Sequence, residues 1–173
     1  MDVWANFDFQ SFWEESTYAK EHYEGGDFTV SDRQIIEDQL GYKLPDSYVA
    51  FMQKHNGGIP TRTEFETKTP TSWSDAGIAI NGFLNIGLAG ENALLGEFGS
   101  RFWIEEWGYP DIGIAICDCP SAGHDMVFLD YKKYGTQEQP AVVHIDQEFD
   151  YTITFLAKDF ESFVFGLKEE EEY

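Results

Sequence analysis

Two cysteines, a histidine and an aspartate lie close together in the second half of the sequence and could hold a metal ion. The order is Cys117, Cys119, His124 and Asp125, and thiolate, imidazole and carboxylate are all zinc ligands. A zinc tetrahedron needs two sulfur atoms about 3.8 Å apart, whereas the Cα atoms of an extended i, i+2 pair lie about 6.6 Å apart. A sharp bend before Pro120 could close this gap, but the usual spacing of structural zinc sites is absent. We therefore predict two free thiols, with no metal and no cofactor.

The same side chains, with His144 and many carboxylates, are also the ingredients of nucleophilic catalysis. None of them lies in a recognised motif: the chain has no nucleophile elbow, no phosphate-binding loop ending in Lys-Ser/Thr and no His-Glu-x-x-His helix. Glu105 and Glu106 are adjacent, so their side chains point apart and do not form an acid/base pair. His144 follows a strand pattern between apolar neighbours, where a structural hydrogen bond is expected. The sequence therefore predicts a protein that is not an enzyme.

Acidic and aromatic side chains alternate in one segment, and more acid follows in a second segment. Aromatic side chains often anchor protein interfaces, and acid around them suits a basic partner. Two other interpretations stay open, because the rings could belong to a packed edge of the core and the acids could be plain solvated surface. The candidate partner-binding residues are Glu105, Glu106, Trp107, Tyr109, Asp111, Asp146, Glu148 and Asp150.

The chain carries a strong excess of negative charge. Its 173 residues include 32 Asp and Glu against 11 Lys and Arg, which gives a formal net charge of −21. A field of this sign repels phosphate backbones and anionic lipid head groups, so we expect neither nucleic acid nor membrane as a partner. A basic protein would be attracted, most strongly at low salt. The sequence has no signal-peptide pattern and no apolar run of about 20 residues, so we expect a cytoplasmic protein of undetermined oligomeric state.

These side chains must be positioned by a single domain, for which length and composition supply enough apolar material. Hydrophobic residues make up 42% of the chain, which is sufficient for one core at this length. We predict that the domain covers residues 1–168 and that residues 169–173 form an acidic tail.

Helix signals occur towards both ends of the sequence. Asp8 is predicted to cap a first helical segment that closes at the glycine pair 25–26. Thr29 and Asp32 have the spacing of an N-cap with an acidic residue at position N3, and Gly41 supplies the stop of that helix. Two more helices are predicted to begin at Pro45 and at Asp159.

From residue 77 onwards the pattern changes towards strands. Four strand candidates cover residues 112–117, 126–130, 141–146 and 151–156, with turn residues between them. Their short connections favour an antiparallel meander, because a parallel crossover needs about a dozen residues or more. The predicted fold class is α+β: a single domain with a twisted antiparallel sheet packed by N-terminal and C-terminal helices.

Several stretches in this order resemble the SUKH superfamily. The first is Leu-Gly-Tyr-Lys-Leu-Pro-Asp-Ser-Tyr at residues 40–48, which continues through Phe51 to the Asn-Gly-Gly at residues 56–58. The order of all the stretches together is far more specific than any one of them. The later matching stretches are Gly-Tyr-Pro-Asp-Ile-Gly at 108–113, Gly-His-Asp at 123–125, Leu-Asp at 129–130, Val-His-Ile-Asp at 143–146 and Leu-Ala-Lys-Asp-Phe at 156–160.

The resemblance implies an α+β fold with no established enzymatic chemistry. In bacteria it implies an immunity protein, or antitoxin, that neutralises a secreted polymorphic toxin, often a nuclease. The superfamily also includes yeast regulators of cell-wall synthesis, so a cytosolic scaffold or regulatory protein is the alternative. The expected partner is a basic protein toxin or another cellular protein. Because members bind diverse toxins, no contact residue carries over by motif.

Overall fold

A computed structural model describes residues 2–170 of the chain. Within this range the chain forms six α-helices, one 3-10 turn and seven strands. The helices are α1 (Phe9–Phe12), α2 (Thr17–His22), α3 (Val30–Leu40), α4 (Asp46–Lys54), α5 (Ser100–Glu105) and α6 (Phe160–Gly166), and the 3-10 turn is Gln147–Phe149. The strands are β1 (Glu64–Glu66), β2 (Gly77–Ala79), β3 (Gly82–Phe83), β4 (Gly113–Asp118), β5 (Asp125–Asp130), β6 (Ala141–Asp146) and β7 (Thr152–Ala157).

The helix starts follow the capping residues of the sequence. Thr29 and Asp32 form a reciprocal capping box at the start of α3, and Gly41 ends that helix with a φ of 80°. Asp159 caps α6 by accepting a hydrogen bond from the Ser162 backbone N–H. These predictions are confirmed. They could be made from the sequence because each cap depends only on residues within one helical turn.

The first predicted helical segment is wrong in its continuity. Asp8 caps α1 as expected, but α1 ends at Phe12 and α2 begins separately after the N-cap Ser16. Between them Trp13 forms an antiparallel bridge with Pro60. This long-range pairing takes the backbone out of the helix, and Ser16 then starts a new one.

The predicted meander is confirmed and gains one strand. The main sheet has five strands in the order β3-β4-β5-β6-β7, all antiparallel. The two-residue strand β3 is the addition, and it pairs with the end of β4 at Cys117 and Asp118. Strands β1 and β2 form a separate two-stranded sheet. The α+β fold class is confirmed.

Both faces of the main sheet are covered. On one face Val127 and Leu129 join the large core cluster with α4 and α6, at whose centre lies Phe51. On the other face Met126 and Phe128 join a smaller cluster that includes Trp103 of α5. The central strands β5 and β6 are buried along their whole length for this reason.

The predicted acidic tail lies only partly within the described residues. Residues 169 and 170 of the predicted acidic tail are exposed, whereas residues 171–173 lie outside the described range. The boundary between domain and tail stays a prediction. None of the helices in residues 2–170 has the length and apolar character needed to cross a membrane.

Candidate protein-interaction surface

The two acidic segments of the sequence meet at one place on the surface, and His124 joins them. The ring of His124 lies edge-on to Trp107, with ring centroids 5.4 Å apart. Its Nδ1 is 2.9 Å from a carboxylate oxygen of Glu148 and 2.9 Å from the side-chain oxygen of Gln147. The Gln147 backbone N–H also donates to the His124 carbonyl at 2.9 Å. Residues that are far apart in the sequence therefore form a continuous surface.

This surface combines exposed acid with aromatic side chains. The Phe149 side chain is 50% exposed, although it is apolar, and Trp107 is half-buried. An exposed aromatic residue among carboxylates is an arrangement typical of an interface anchor. We call this set the Trp107 surface: Glu106, Trp107, His124, Glu148, Phe149 and Asp150.

Two of the predicted contact residues are buried, which corrects the sequence interpretation. Tyr109 is 2% exposed and its hydroxyl donates to the Gly123 carbonyl at 2.6 Å. Asp146 is also 2% exposed, and one of its oxygens accepts a hydrogen bond from the Ser72 N–H at 2.8 Å. Tyr109 folds back onto Phe128 after the turn, and Asp146 is the last residue of β6. Their side chains hold the surface in place from below and are not accessible to a partner.

Two further predicted residues are exposed but lie away from the Trp107 surface. Glu105 forms an i, i+4 ion pair with Arg101 at 2.7 Å, which offsets its charge. Asp111 accepts a hydrogen bond from the Tyr42 hydroxyl at 2.8 Å. Both residues line a small pocket of about 150 Å³ beside α5. From the predicted set the structure therefore brings together Trp107 and Glu148 through His124, and the exposed Glu106 and Asp150 flank them in the sequence.

Gly123 explains how Trp107 is positioned. Its φ is +99°, and a Cβ at this position would lie 2.6 Å from the Trp103 ring and 3.1 Å from the Trp107 ring. Only glycine allows both the left-handed backbone and this close approach. The two indoles are 5.4 Å apart, so Trp103 anchors Trp107 to the core on one side.

The turn that carries Glu148 and Phe149 is held in an uncommon conformation. Asp150 and Tyr151 have φ values of 54° and 57°, and two successive left-handed residues without a glycine are rare. The Tyr151 hydroxyl donates to the Trp107 carbonyl, and this hydrogen bond links the turn to the segment that carries Trp107. The surface is therefore built in advance of any contact with a partner.

The buried polar cluster of the structure has other members than the candidate metal-binding set that the sequence offered. Ligand atoms of Cys119, Asp125 and His144 lie within 4.8 Å of one another, while His124 faces Trp107 and Glu148. The His144 Nε2 is 2.7 Å from a carboxylate oxygen of Asp125. Two such ligands of one zinc ion would lie about 3.4 Å apart. The distance is that of a hydrogen bond, so the placement fits a hydrogen-bonded network better than a zinc site.

The remaining contacts of this cluster agree with a structural role. Ser121 also hydrogen-bonds Asp125 through its hydroxyl. The His144 Nδ1 has no hydrogen-bond partner within residues 2–170, and by ring geometry it points away from Asp125. Burial, with the nearby Asp125 charge second, raises the pKa of the Cys119 thiol. A protonated, fully buried thiol is a poor nucleophile.

Sequence reasoning missed His124, Phe149 and Tyr151 as members or supports of the surface. The sequence does contain one signal, because Phe149 is an apolar residue between Glu148 and Asp150 in a turn. His124 carried no such signal, since its contact with Trp107 depends on how the residue before β5 packs against the residues that follow α5.

One family model matches most of the chain. The SUKH_6 model, described as SMI1-KNR4 cell-wall, matches residues 31–164. None of the curated proteins matches the chain. The matched range begins in α3 and ends in α6, so it includes the main sheet and the Trp107 surface. The chain therefore belongs to the SUKH_6 family of the SUKH superfamily.

Proposed function

We propose that this chain is an immunity protein that neutralises a basic polymorphic toxin by binding it through the Trp107 surface. Family membership supports, at the level of the family, an immunity role or a role like that of the SMI1-KNR4 proteins. SUKH domains are generally non-catalytic binding proteins, and the buried thiols of Cys117 and Cys119 agree with that.

The observation that carries the proposal is that His124 joins Trp107 and Glu148, which are far apart in the sequence, on one surface. Aromatic anchors supply affinity where they become fully desolvated. Acid around them steers a basic partner and raises its association rate. The net charge of −21 acts in the same direction over the whole molecule.

A nuclease is the toxin class that this surface fits best. Nucleases present basic residues to the phosphates of their substrate. In our proposal Glu106, Glu148 and Asp150 occupy the positions of those phosphates and block access to the active surface. The mechanism is occlusion, so no covalent chemistry is required of the chain.

Toxin neutralisation in cells tests this proposal. Affinity capture from the native host identifies the partner, and that partner is then expressed in a test strain with and without the chain. We expect the partner to be toxic alone, growth to recover with the chain, and the Trp107→Ala variant to rescue poorly. A captured partner without toxicity would overturn the immunity assignment.

The second candidate is a cytosolic scaffold or regulator. It is favoured by the description of the matching family, which names cell-wall proteins. The same capture experiment separates the two functions, because a regulator would recover a non-toxic cellular protein. In that case the Trp107 surface could still be the contact, and the Trp107→Ala variant would weaken capture.

A further inference from the structure

An acidic groove lies on the small sheet, outside the Trp107 surface. It has a volume of about 590 Å³ and runs between β1, β2 and the loop that carries Trp73. Its lining includes the Trp73 side chain, four carboxylate residues (Glu64, Glu66, Asp75 and Glu170) and one basic residue, Lys168, so the acids outnumber the cation. The Trp73 side chain is 45% exposed, which is unusual for an indole on a polar loop. We call this feature the Trp73 groove.

The register of the small sheet places small residues opposite its two carboxylates. Glu66 is paired with Gly77, and Glu64 is paired with Ala79. Cross-strand neighbours on one face normally contact each other, but Gly77 has no side chain and that of Ala79 is short. Glu66 is exposed and Glu64 is half-buried, so a cationic side chain of another molecule can reach Glu66 most directly.

The loop that carries Trp73 is held by hydrogen bonds. The Thr71 hydroxyl donates to the Gly77 carbonyl at 2.7 Å and accepts from the Trp73 and Ser74 N–H groups. The Ser72 N–H donates to the buried Asp146 carboxylate at 2.8 Å. An ordered exposed aromatic loses little conformational entropy on binding. Trp73 is thus presented to solvent by a preformed loop.

We propose that the Trp73 groove binds an extended, arginine- or lysine-bearing segment of a basic protein. The carboxylates complement the positive charge of such a segment. The face of the Trp73 indole suits a guanidinium or ammonium group, since cation–π contacts form best on tryptophan. Anionic ligands such as nucleic acid are repelled by the same charges.

The Trp73 groove and the Trp107 surface are attached to the same end of β6. Asp146 holds the Ser72 end of the Trp73 loop, and the turn Gln147–Phe149 follows it directly in the sequence. A basic partner on the Trp107 surface could therefore extend a segment towards the groove. The groove proposal does not require that partner to be a toxin.

The test is an NMR titration of the isotope-labelled chain with a short acetylated peptide of alternating Arg and Gly. A Gln-Gly peptide of the same length is the neutral control. We expect the largest shifts at residues 64–66 and 73–77 and at the Trp73 indole, which the Trp73→Phe variant assigns. The neutral peptide should give no shifts.

Two variants make the outcome decisive. Trp73→Ala should weaken the peptide about 2- to 30-fold, and Glu66→Gln should weaken it without removing the ring. Glu15→Gln removes an exposed acid elsewhere and should change nothing, as should Trp107→Ala. Shifts spread evenly over the acidic surface, shifts centred on residues 106 and 148–150, or equal binding of the two peptides would overturn the proposal. Since Trp107→Ala tests the other surface, failure of one proposal is distinguishable from failure of the other.

Discussion

At the scale of single residues, Phe51 has the most central place in the core. It is fully buried, and its ring lies 4.8 Å from Trp4 and 5.3 Å from Phe160. The sequence placed it on the apolar face of the helix after Pro45. The structure adds that this face meets aromatic residues from both ends of the chain, which no local pattern reveals.

Replacing Phe51 with alanine should lower the free energy of unfolding by about 3 to 5 kcal/mol, because the large cavity cannot be filled by its rigid neighbours. Phe155→Ala is the matched control, since that ring is 46% exposed at the edge of the sheet. Urea unfolding of both variants measures the difference. A loss below about 1 kcal/mol for Phe51→Ala would show that the core is misplaced.

Asp118 makes a pH-dependent contribution that follows from its burial. Burial raises the pKa of Asp118 above its ordinary value of 3.8, although hydrogen bonds from Tyr23 and Asn81 oppose the shift. The stability that the raised pKa contributes is therefore present below pH 3.8 and is lost as the pH rises through the folded-state value. At neutral pH the ionised carboxylate is a cost to the fold.

The variant Asp118→Asn should therefore gain stability relative to the natural chain as the pH rises from about 3 to 7. An asparagine can still accept the hydrogen bond that Tyr23 donates at 2.8 Å, and it cannot ionise. The measurement is the difference in unfolding free energy between the two proteins across this range. A constant or falling difference would contradict the assignment of the raised pKa.

The buried cluster of Cys119, Asp125 and His144 gives a prediction about metal content. Because the Asp125–His144 contact has hydrogen-bond length, we expect purified protein to contain no stoichiometric zinc. Elemental analysis after purification without chelator is the measurement, with Cys119→Ser as the comparison. One zinc per chain that disappears in the Cys119→Ser variant would restore a metal site.

At the scale of elements, the structure separates what local sequence determines from what it does not. The capping box at Thr29 and the strand at 141–146 could be predicted, because their signals lie within the element itself. The break at Trp13 and the short strand β3 could not, since both depend on pairing with distant backbone. For the same reason the sequence could assign Tyr109 and Asp146 to the segments rich in acidic and aromatic residues, but it could not show that their side chains are buried.

Gly123 gives a prediction at this scale, because a side chain at this position, just before β5, would press against Trp103 of α5 and against Trp107. Gly123→Ala should reduce the unfolding free energy by about 1 to 3 kcal/mol, since its Cβ would press on the Trp103 ring. We also expect a changed near-ultraviolet dichroism signal from the displaced indoles. Gly26→Ala is the control, because nothing lies within 4 Å of that added Cβ. Equal stability of the two variants would contradict the packing described for Trp107.

At the scale of the whole molecule, charge and family lead to the same kind of partner. The formal net charge of −21 favours a basic protein, and the matched family binds proteins at the family level. In our proposal the Trp107 surface gives this general attraction a specific place. Long-range attraction acts on the association rate, while the aromatic anchors act on the dissociation rate.

The most direct test measures association and dissociation rates of the captured partner with two charge-reversed variants at several salt concentrations. One carries Glu106→Lys and Glu148→Lys, and the control carries Glu15→Lys and Glu138→Lys, so both have the same net charge. We expect the first to lose at least about tenfold more affinity than the control, with association of the natural chain slowing as salt rises. Equal affinities of the two folded variants, or binding that salt does not change, would contradict the Trp107 surface as the contact.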